Sequence, residues 1–129
     1  ILANNVTLAG HGVVDSFAII GGLTPIHQFC RIGSYSMIGG ASAVNQDICP
    51  FVLAEGNKAE VRGLNSIGLR RRGFSDETLS NLKKAYRIIF RNGLPLKEAV
   101  KQVEEEYGED DNIKYLLDFI NNSNRGITR

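Results

Sequence analysis

Charge is almost missing from the first 54 residues, where Asp15, Arg31 and Asp47 are the only charged side chains; the other 26 of the 15 basic and 14 acidic groups follow residue 54. Apolar runs of the roughly 18 residues needed to span a bilayer are lacking too, as is a basic start leading into an apolar core and a small-residue cleavage site. No spanning helix or secretory leader is therefore expected, and the expected compartment is the cytoplasm. Cysteine is scarce: Cys30 and Cys49 stand alone beside His11 and His27. Two thiols and two scattered imidazoles do not readily complete a zinc shell, so no metal is expected and Cys30 reads as a buried free thiol. A net charge of +1 over 129 residues excludes an overall nucleic-acid binder.

What the first half does contain is a period. Aliphatic residues recur at Leu2, Leu8, Val14, Ile20, Ile26, Ile32, Ile38 and Val44, six apart without a slip. Four places after each stands Val6, Gly12, Ala18, Thr24, Cys30, Ser36, Ser42 or Ile48, mostly small. Neither a helix of 3.6 residues per turn nor a simple alternating strand requires this spacing. Hexapeptide repeats signal a parallel β-helix, in which short strands stack coil on coil and three six-residue sides complete one coil. The stack is thin, a little under three coils, and starts without a polar cap, so the sequence reads as the C-terminal part of a longer protein. Pro50, at the next aliphatic position, breaks the repeat because it cannot donate a ladder hydrogen bond.

Beyond the repeat, residues 52–72 read as a connection punctuated by Gly56, Gly63 and Gly68. Ser75 is placed as a helix N-cap, with Asp76 and Glu77 favoured by the positive helix end. Leu79, Leu82, Tyr86, Ile89 and Phe90 share one face of that helix, and Gly93 closes it. A second helix begins near Pro95 and buries Leu96, Ala99, Val100, Val103 and Tyr107. A third presents Ile113, Leu116, Leu117 and Ile120, and residues 121–129 read as a polar tail. The expected division is 1–54 for coils, 55–74 for a connector and 75–129 for a helical domain.

Several stretches carry a resemblance. Ile1-Leu2-Ala3-Asn4-Asn5, Leu8-Ala9-Gly10-His11, Phe17-Ala18-Ile19-Ile20-Gly21-Gly22, His27-Gln28-Phe29-Cys30, Ile38-Gly39-Gly40, Asn65, Gly68-Leu69 and Arg70-Arg71-Arg72-Gly73-Phe74 resemble the C-terminal half of the acyl-carrier-protein-dependent UDP-N-acetylglucosamine O-acyltransferases of lipid A biosynthesis. The repeat alone is common to many acyltransferases; its combination with His-Gln-Phe, the Gly-Gly pair and the Arg-Arg-Gly-Phe junction is far more specific. The resemblance implies a left-handed β-helix, an exception to the usual right-handed crossover, followed by a helical C-terminal domain. It also implies a homotrimer with active sites between subunits, acting on UDP-N-acetylglucosamine with acyl-carrier protein as donor and partner, and no cofactor beyond the donor's phosphopantetheine.

Site residues follow from the same resemblance. His11 supports catalysis, while the principal general base is a histidine on a coil before this sequence begins. His27 and Gln28 contact the sugar and acyl portions of substrate, and Asn65, Arg71 and Arg72 hold the UDP moiety, the arginines being planar permanent donors for phosphate oxygens. Gly40 leaves the acyl slot deep. Ile67 departs from an acidic residue frequent in the family at that position, which removes one nucleotide contact. Lys83, Lys84, Arg87 and Arg91 suit an acidic carrier protein, and equally a solvated helix face. Three readings compete: the related N-acyltransferase acting on an acylated UDP-glucosamine, a non-catalytic β-helix scaffold, and a γ-type carbonic anhydrase, for which the expected third histidine is missing.

Overall fold

A computed structural model of the chain describes residues 1–3, 7–8 (by backbone pairing) and 12–129. Six two-residue strands come first: β1 (Thr7–Leu8), β2 (Val13–Val14), β3 (Ile19–Ile20), β4 (Pro25–Ile26), β5 (Arg31–Ile32) and β6 (Met37–Ile38). β1 pairs with β4, β2 with β5 and β3 with β6, all parallel, with partners such as Val14 and Ile32 or Ile20 and Ile38 one three-strand circuit apart. Single parallel bridges Leu2 to Ile20 and Ile26 to Val44 continue the register. Three short segments thus close each coil, and each side of the stack is a narrow parallel sheet.

The aliphatic second residue of a strand fills the interior. Ile20, Ile26, Ile32 and Ile38 are buried, while Pro25 and Met37, which precede two of them, are exposed, as is Val13 ahead of the half-buried Val14. The small register is interior as well, with Ala18, Thr24, Cys30, Ser36 and Ser42 buried. A buried hydroxyl needs a partner; Ser36 Oγ donates to the Gly33 carbonyl and Ser42 Oγ to the Gly39 carbonyl, each at 2.7 Å.

Among the described residues, corners are turned by a residue in the left-handed backbone region at Phe17, Leu23, Phe29, Tyr35, Ala41 and Phe51, with φ between 55° and 71°. None is a glycine, so each turn costs on the order of 1–3 kcal/mol, offset by stacking of the coils. Along one corner Phe17, Tyr35 and Phe51 form a ladder of near-parallel rings, with centroids 5.1 and 6.0 Å apart. Phe74 packs edge-on against Tyr35 and Phe51.

The last coil departs from the expected register. Ile48 pairs with Ile32, and Ala54 with Ile38, so two residues are omitted between Val44 and Ile48. Ile48 therefore occupies the aliphatic position rather than the small one. Pro50 does not end the coil either, because the Phe51 N–H donates to the Ser34 carbonyl (3.0 Å) in its place.

Residues 52–72 are more than a connection. β7 (Val52–Glu55) extends the β3–β6 sheet in parallel, β8 (Glu60–Leu64) returns antiparallel to it, and α1 (Ser66–Arg71) follows. Three longer helices come next: α2 (Asp76–Phe90), α3 (Leu96–Tyr107) and α4 (Asp111–Asn121). Ser75 caps α2, accepting from the Thr78 N–H (3.1 Å), and Gly93 sits beyond its end with φ 69°. Pro95 is itself the N-cap of α3. Leu79, Leu82, Ile89, Ala99, Val103, Ile113, Leu116 and Leu117 form the inner faces.

The final residues are not a loose polar tail. Ile127 makes a parallel bridge with Asp47, and both Ile127 and Thr128 are buried. Asp47, also buried, accepts from the Arg31 N–H (2.7 Å) and the Ser123 hydroxyl. No helix among the described residues is long and apolar enough to cross a membrane.

Candidate functional site

Of the three outer sides, the β2–β5 side is occupied by the helical part of the chain: Arg31 lies 4.6 Å above the Phe119 ring of α4. The β3–β6–β7 side carries a cleft of about 600 Å³. Its floor is Ile19, Met37 and Leu53, the outward residues of three stacked strands, and Phe17 and Tyr35 of the aromatic ladder close one end. Asn65, Ile67, Gly68, Arg71 and Arg72 form the wall.

Local contacts explain why α1 stands there. The Asn65 N–H donates to the Phe51 carbonyl (2.7 Å), and its side-chain Nδ2 donates to the Tyr35 carbonyl (3.0 Å). Asn65 is only 7% exposed. Gly68 is required opposite it, since a Cβ at that position would fall 2.5 Å from Asn65 Nδ2. Asn65 thus clamps the helix to the aromatic corner as well as lining the cleft.

The three arginines divide. Arg71 and Arg72 turn to the cleft, and Arg72 rests its guanidinium 4.6 Å over the Phe17 ring. Neither forms an ion pair among the described residues, so two permanent cations with planar donors are available to an anion. Successive helical residues diverge by about 100°, which sends Arg70 to a separate depression with Ser66, Asp76 and Lys83. Ile67, 71% exposed, sets a bare apolar side chain at the cleft edge.

A second cavity, of about 380 Å³, lies on the β1–β4 side and is lined by Pro25, His27, Ala43, Asn45, Asn57 and Lys58 among others. Gln28 follows His27 into an exposed corner and lines neither cavity. Gly40 sits at an exposed corner where an added Cβ would come 3.3 Å from the Gly22 carbonyl oxygen. His11 lies outside the described residues. Within one chain, then, Asn65, Arg71 and Arg72 come together, whereas His27 is on a different side of the stack.

Sequence reasoning did not single out Phe17, Met37 and Leu53 as lining residues, although the outward register of the repeat marks Met37. Nor did it single out Asn57 and Lys58, which the β7–β8 turn delivers beside His27. Both cysteines are free and buried. Burial raises the Cys49 thiol strongly, with the Asp47 carboxylate adding to the effect, and the same two causes raise Cys30. No cluster of three or more histidine, cysteine, aspartate or glutamate side chains that could hold a metal occurs among the described residues.

Stacked six-residue segments with an arginine-rimmed cleft at the junction to a helical portion define a hexapeptide-repeat protein. The chain belongs to the UDP-N-acetylglucosamine O-acyltransferase family, whose pattern, described as domain 2 of that enzyme, matches residues 47–128. It is 53% identical over 133 aligned positions to the acyl-[acyl-carrier-protein]–UDP-N-acetylglucosamine O-acyltransferase of Burkholderia orbicola, an alignment covering all of this chain and 51% of that protein. The crystal structure of the UDP-N-acetylglucosamine O-acyltransferase of Moraxella catarrhalis superposes with TM-score 0.94 at 47% identity, covering 99% of this chain and 50% of that one. The UDP-N-acetylglucosamine acyltransferase of Campylobacter jejuni gives 0.91 at 50% identity, covering 98% and 49%. The chain spans about half the length of the relatives it matches.

Proposed function

We propose that the complete protein transfers a 3-hydroxyacyl chain from acyl-carrier protein to the 3-position of UDP-N-acetylglucosamine, the first step of lipid A biosynthesis. The observation that carries this reading is the convergence of Asn65, Arg71 and Arg72 on one cleft. Two guanidinium groups over an apolar floor suit a nucleotide diphosphate, each able to offer paired donors to phosphate oxygens.

In the reaction a base removes the proton of the sugar hydroxyl as that oxygen attacks the thioester carbonyl. Donors stabilise the oxyanion, and the carrier thiol leaves with a proton. The principal base is not among the residues of this chain; His11 has a supporting role, and His27 and Gln28 meet the sugar and acyl portions. Gly40 leaves the acyl slot open to a long chain. No cofactor takes part beyond the donor's own phosphopantetheine.

The coils wind left-handed and the protein is a cytoplasmic homotrimer with its sites between subunits. The separation of His27 from the arginine cleft supports that assembly, because the outer side of one protomer set against a different side of the next gathers residues that a single chain keeps apart. Acyl-carrier protein docks on Lys83, Lys84 and Arg87. Arg91 contributes less, since its guanidinium donates to the Val61 carbonyl (3.1 Å) and lies over Tyr86. An acyl-transfer assay of the complete protein with acyl-[acyl-carrier protein] and UDP-N-acetylglucosamine tests the reading; binding of the sugar nucleotide without transfer favours a scaffold instead.

A further inference from the structure

Ile67 lines the arginine cleft, yet the proposed reaction gives it no task. Its side chain stands at the rim, 71% exposed. It precedes Arg71 by one turn of α1, and residues four apart on a helix share a face, with Cβ atoms roughly 5–6 Å apart. A diphosphate held by Arg71 and Arg72 therefore sets the sugar ring beside it against Ile67. The floor decides which ring that is. Ile19, Met37 and Leu53 are apolar and suit a flat base, so the nucleoside end lies inward, with its ribose between the base and the arginines.

This rim offers little to a hydroxyl group. Arg71 and Arg72 are donors only, and phosphate oxygens take them up. Asn65 has its amide nitrogen on the Tyr35 carbonyl (3.0 Å) and lies beneath Gly68, whose added Cβ would fall 2.8 Å from Asn65 Oδ1. Tyr35 is stacked between Phe17 and Phe51. Isoleucine neither donates nor accepts, and at so exposed a rim a ribose hydroxyl keeps its water. A site built to hydrogen-bond a substrate hydroxyl rejects the analogue lacking it by orders of magnitude, because the site's own polar groups are left unpaired; a site that leaves the hydroxyl in water does not. We infer that Ile67 makes the cleft indifferent to the ribose hydroxyls, so that the protein takes the 2′-deoxy and 3′-deoxy forms of its nucleotide sugar as readily as the ribo form. This goes one step beyond the nucleotide-sugar reading of the cleft, on which it rests, by naming the part of the nucleotide that goes unread.

The test compares UDP-N-acetylglucosamine with its 2′-deoxy and 3′-deoxy uridine counterparts on the complete protein, by calorimetric binding and by acyl transfer. In the parent the three should differ by less than about threefold in Kd and KM. Ile67→Glu places a carboxylate acceptor at the rim and should raise the preference for the ribo form over at least one deoxy form to about tenfold or more. Pairing of the new carboxylate with Arg71 would weaken all three nucleotides alike, so the ratio is the readout; Ile67→Gln, an uncharged acceptor, should give an intermediate ratio. A parent that already prefers the ribo form tenfold overturns the inference, since an acceptor then reaches the ribose from elsewhere, such as the neighbouring protomer. A ratio that neither variant moves overturns it too, because the ribose then lies away from Ile67. Binding of none of the three overturns it together with the assignment of the cleft to a nucleotide sugar. Equal binding of all three without acyl transfer supports it and overturns the acyl-transfer reading, whereas transfer to the ribo form with rejection of a deoxy form overturns it alone.

Discussion

The phenol of Tyr115, on α4, donates to Asp15 Oδ2 at 2.9 Å across 100 positions of sequence. The same oxygen of Asp15 meets Arg31 at 3.2 Å, and the Tyr115 hydroxyl oxygen accepts the Ser34 N–H at 3.0 Å. Two stacked segments, the one after β2 and the one that runs from β5 into its corner, are thereby tied to one helix. These contacts, with Arg31 over Phe119, fix how the helical portion sits on the β2–β5 side.

Tyr115→Phe should therefore loosen that junction while keeping the ring's edge contact with Phe51. Losing the bond to Asp15 and leaving the half-buried Ser34 N–H unpaired costs about 1–3 kcal/mol. Denaturant unfolding of parent and variant measures it. A difference below about 0.5 kcal/mol would mean that water replaces the phenol without cost.

Alkaline pH acts on the same group. Burial raises the Tyr115 phenol above its ordinary value, and the Asp15 carboxylate adds to this, while the hydrogen bond from Ser34 opposes it. Because the folded-state value is raised, the stabilisation is fully present below the ordinary tyrosine range near 10 and is lost as pH climbs from there through the folded-state value. Burial raises Tyr86 too, opposed by Arg91. Spectrophotometric titration should show part of the tyrosine absorbance rising late, with stability falling over that window; titration of all four tyrosines together near 10 would contradict it.

Much of this arrangement was legible in the residues, and the exceptions have physical causes. A period of six marks which side chains face inward because the interior admits only aliphatic and small residues at set places. The corners were not legible: Phe17, Tyr35 and Phe51 adopt a backbone conformation usually signalled by glycine or asparagine, and stacking between coils holds them there. The shortened last coil was hidden because Ile48 suits either register. The terminal residues looked polar because Ile127 is a lone aliphatic, and its burial depends on a bridge to Asp47 that no local pattern announces. At the site, Arg71 and Arg72 were readable from their motif, whereas their separation from Arg70 needed the helix, and the position of Lys58 beside His27 needed the β7–β8 turn.

Cys30 and Cys49 are both buried with raised thiol values, so neither should react in the native protein. A thiol-reactive chromophore is expected to count no thiol before denaturant and two after. Rapid reaction of one thiol in native buffer would place that residue at the surface.

Gly21 and Gly40 should answer differently to a side chain. A Cβ at Gly21 would lie 2.5 Å from the backbone nitrogen of Gly40, so Gly21→Ala forces two coils apart and should lower stability by about 1–3 kcal/mol. At the exposed Gly40 the neighbour has to give only a few tenths of an ångström. Gly40→Met should fold and shift preference toward shorter acyl donors; an unchanged acyl-length profile would remove Gly40 from the acyl slot.

The dependence of acyl transfer on UDP-N-acetylglucosamine concentration, compared between the complete parent protein and Arg72→Ala, bears most directly on the nucleotide-sugar reading. Loss of one charge-assisted contact to a diphosphate should raise KM for the sugar nucleotide about tenfold or more, with little change in the KM for the acyl donor. An unaltered KM for the sugar nucleotide, or no acyl transfer by the parent, would contradict the assignment of the arginine cleft.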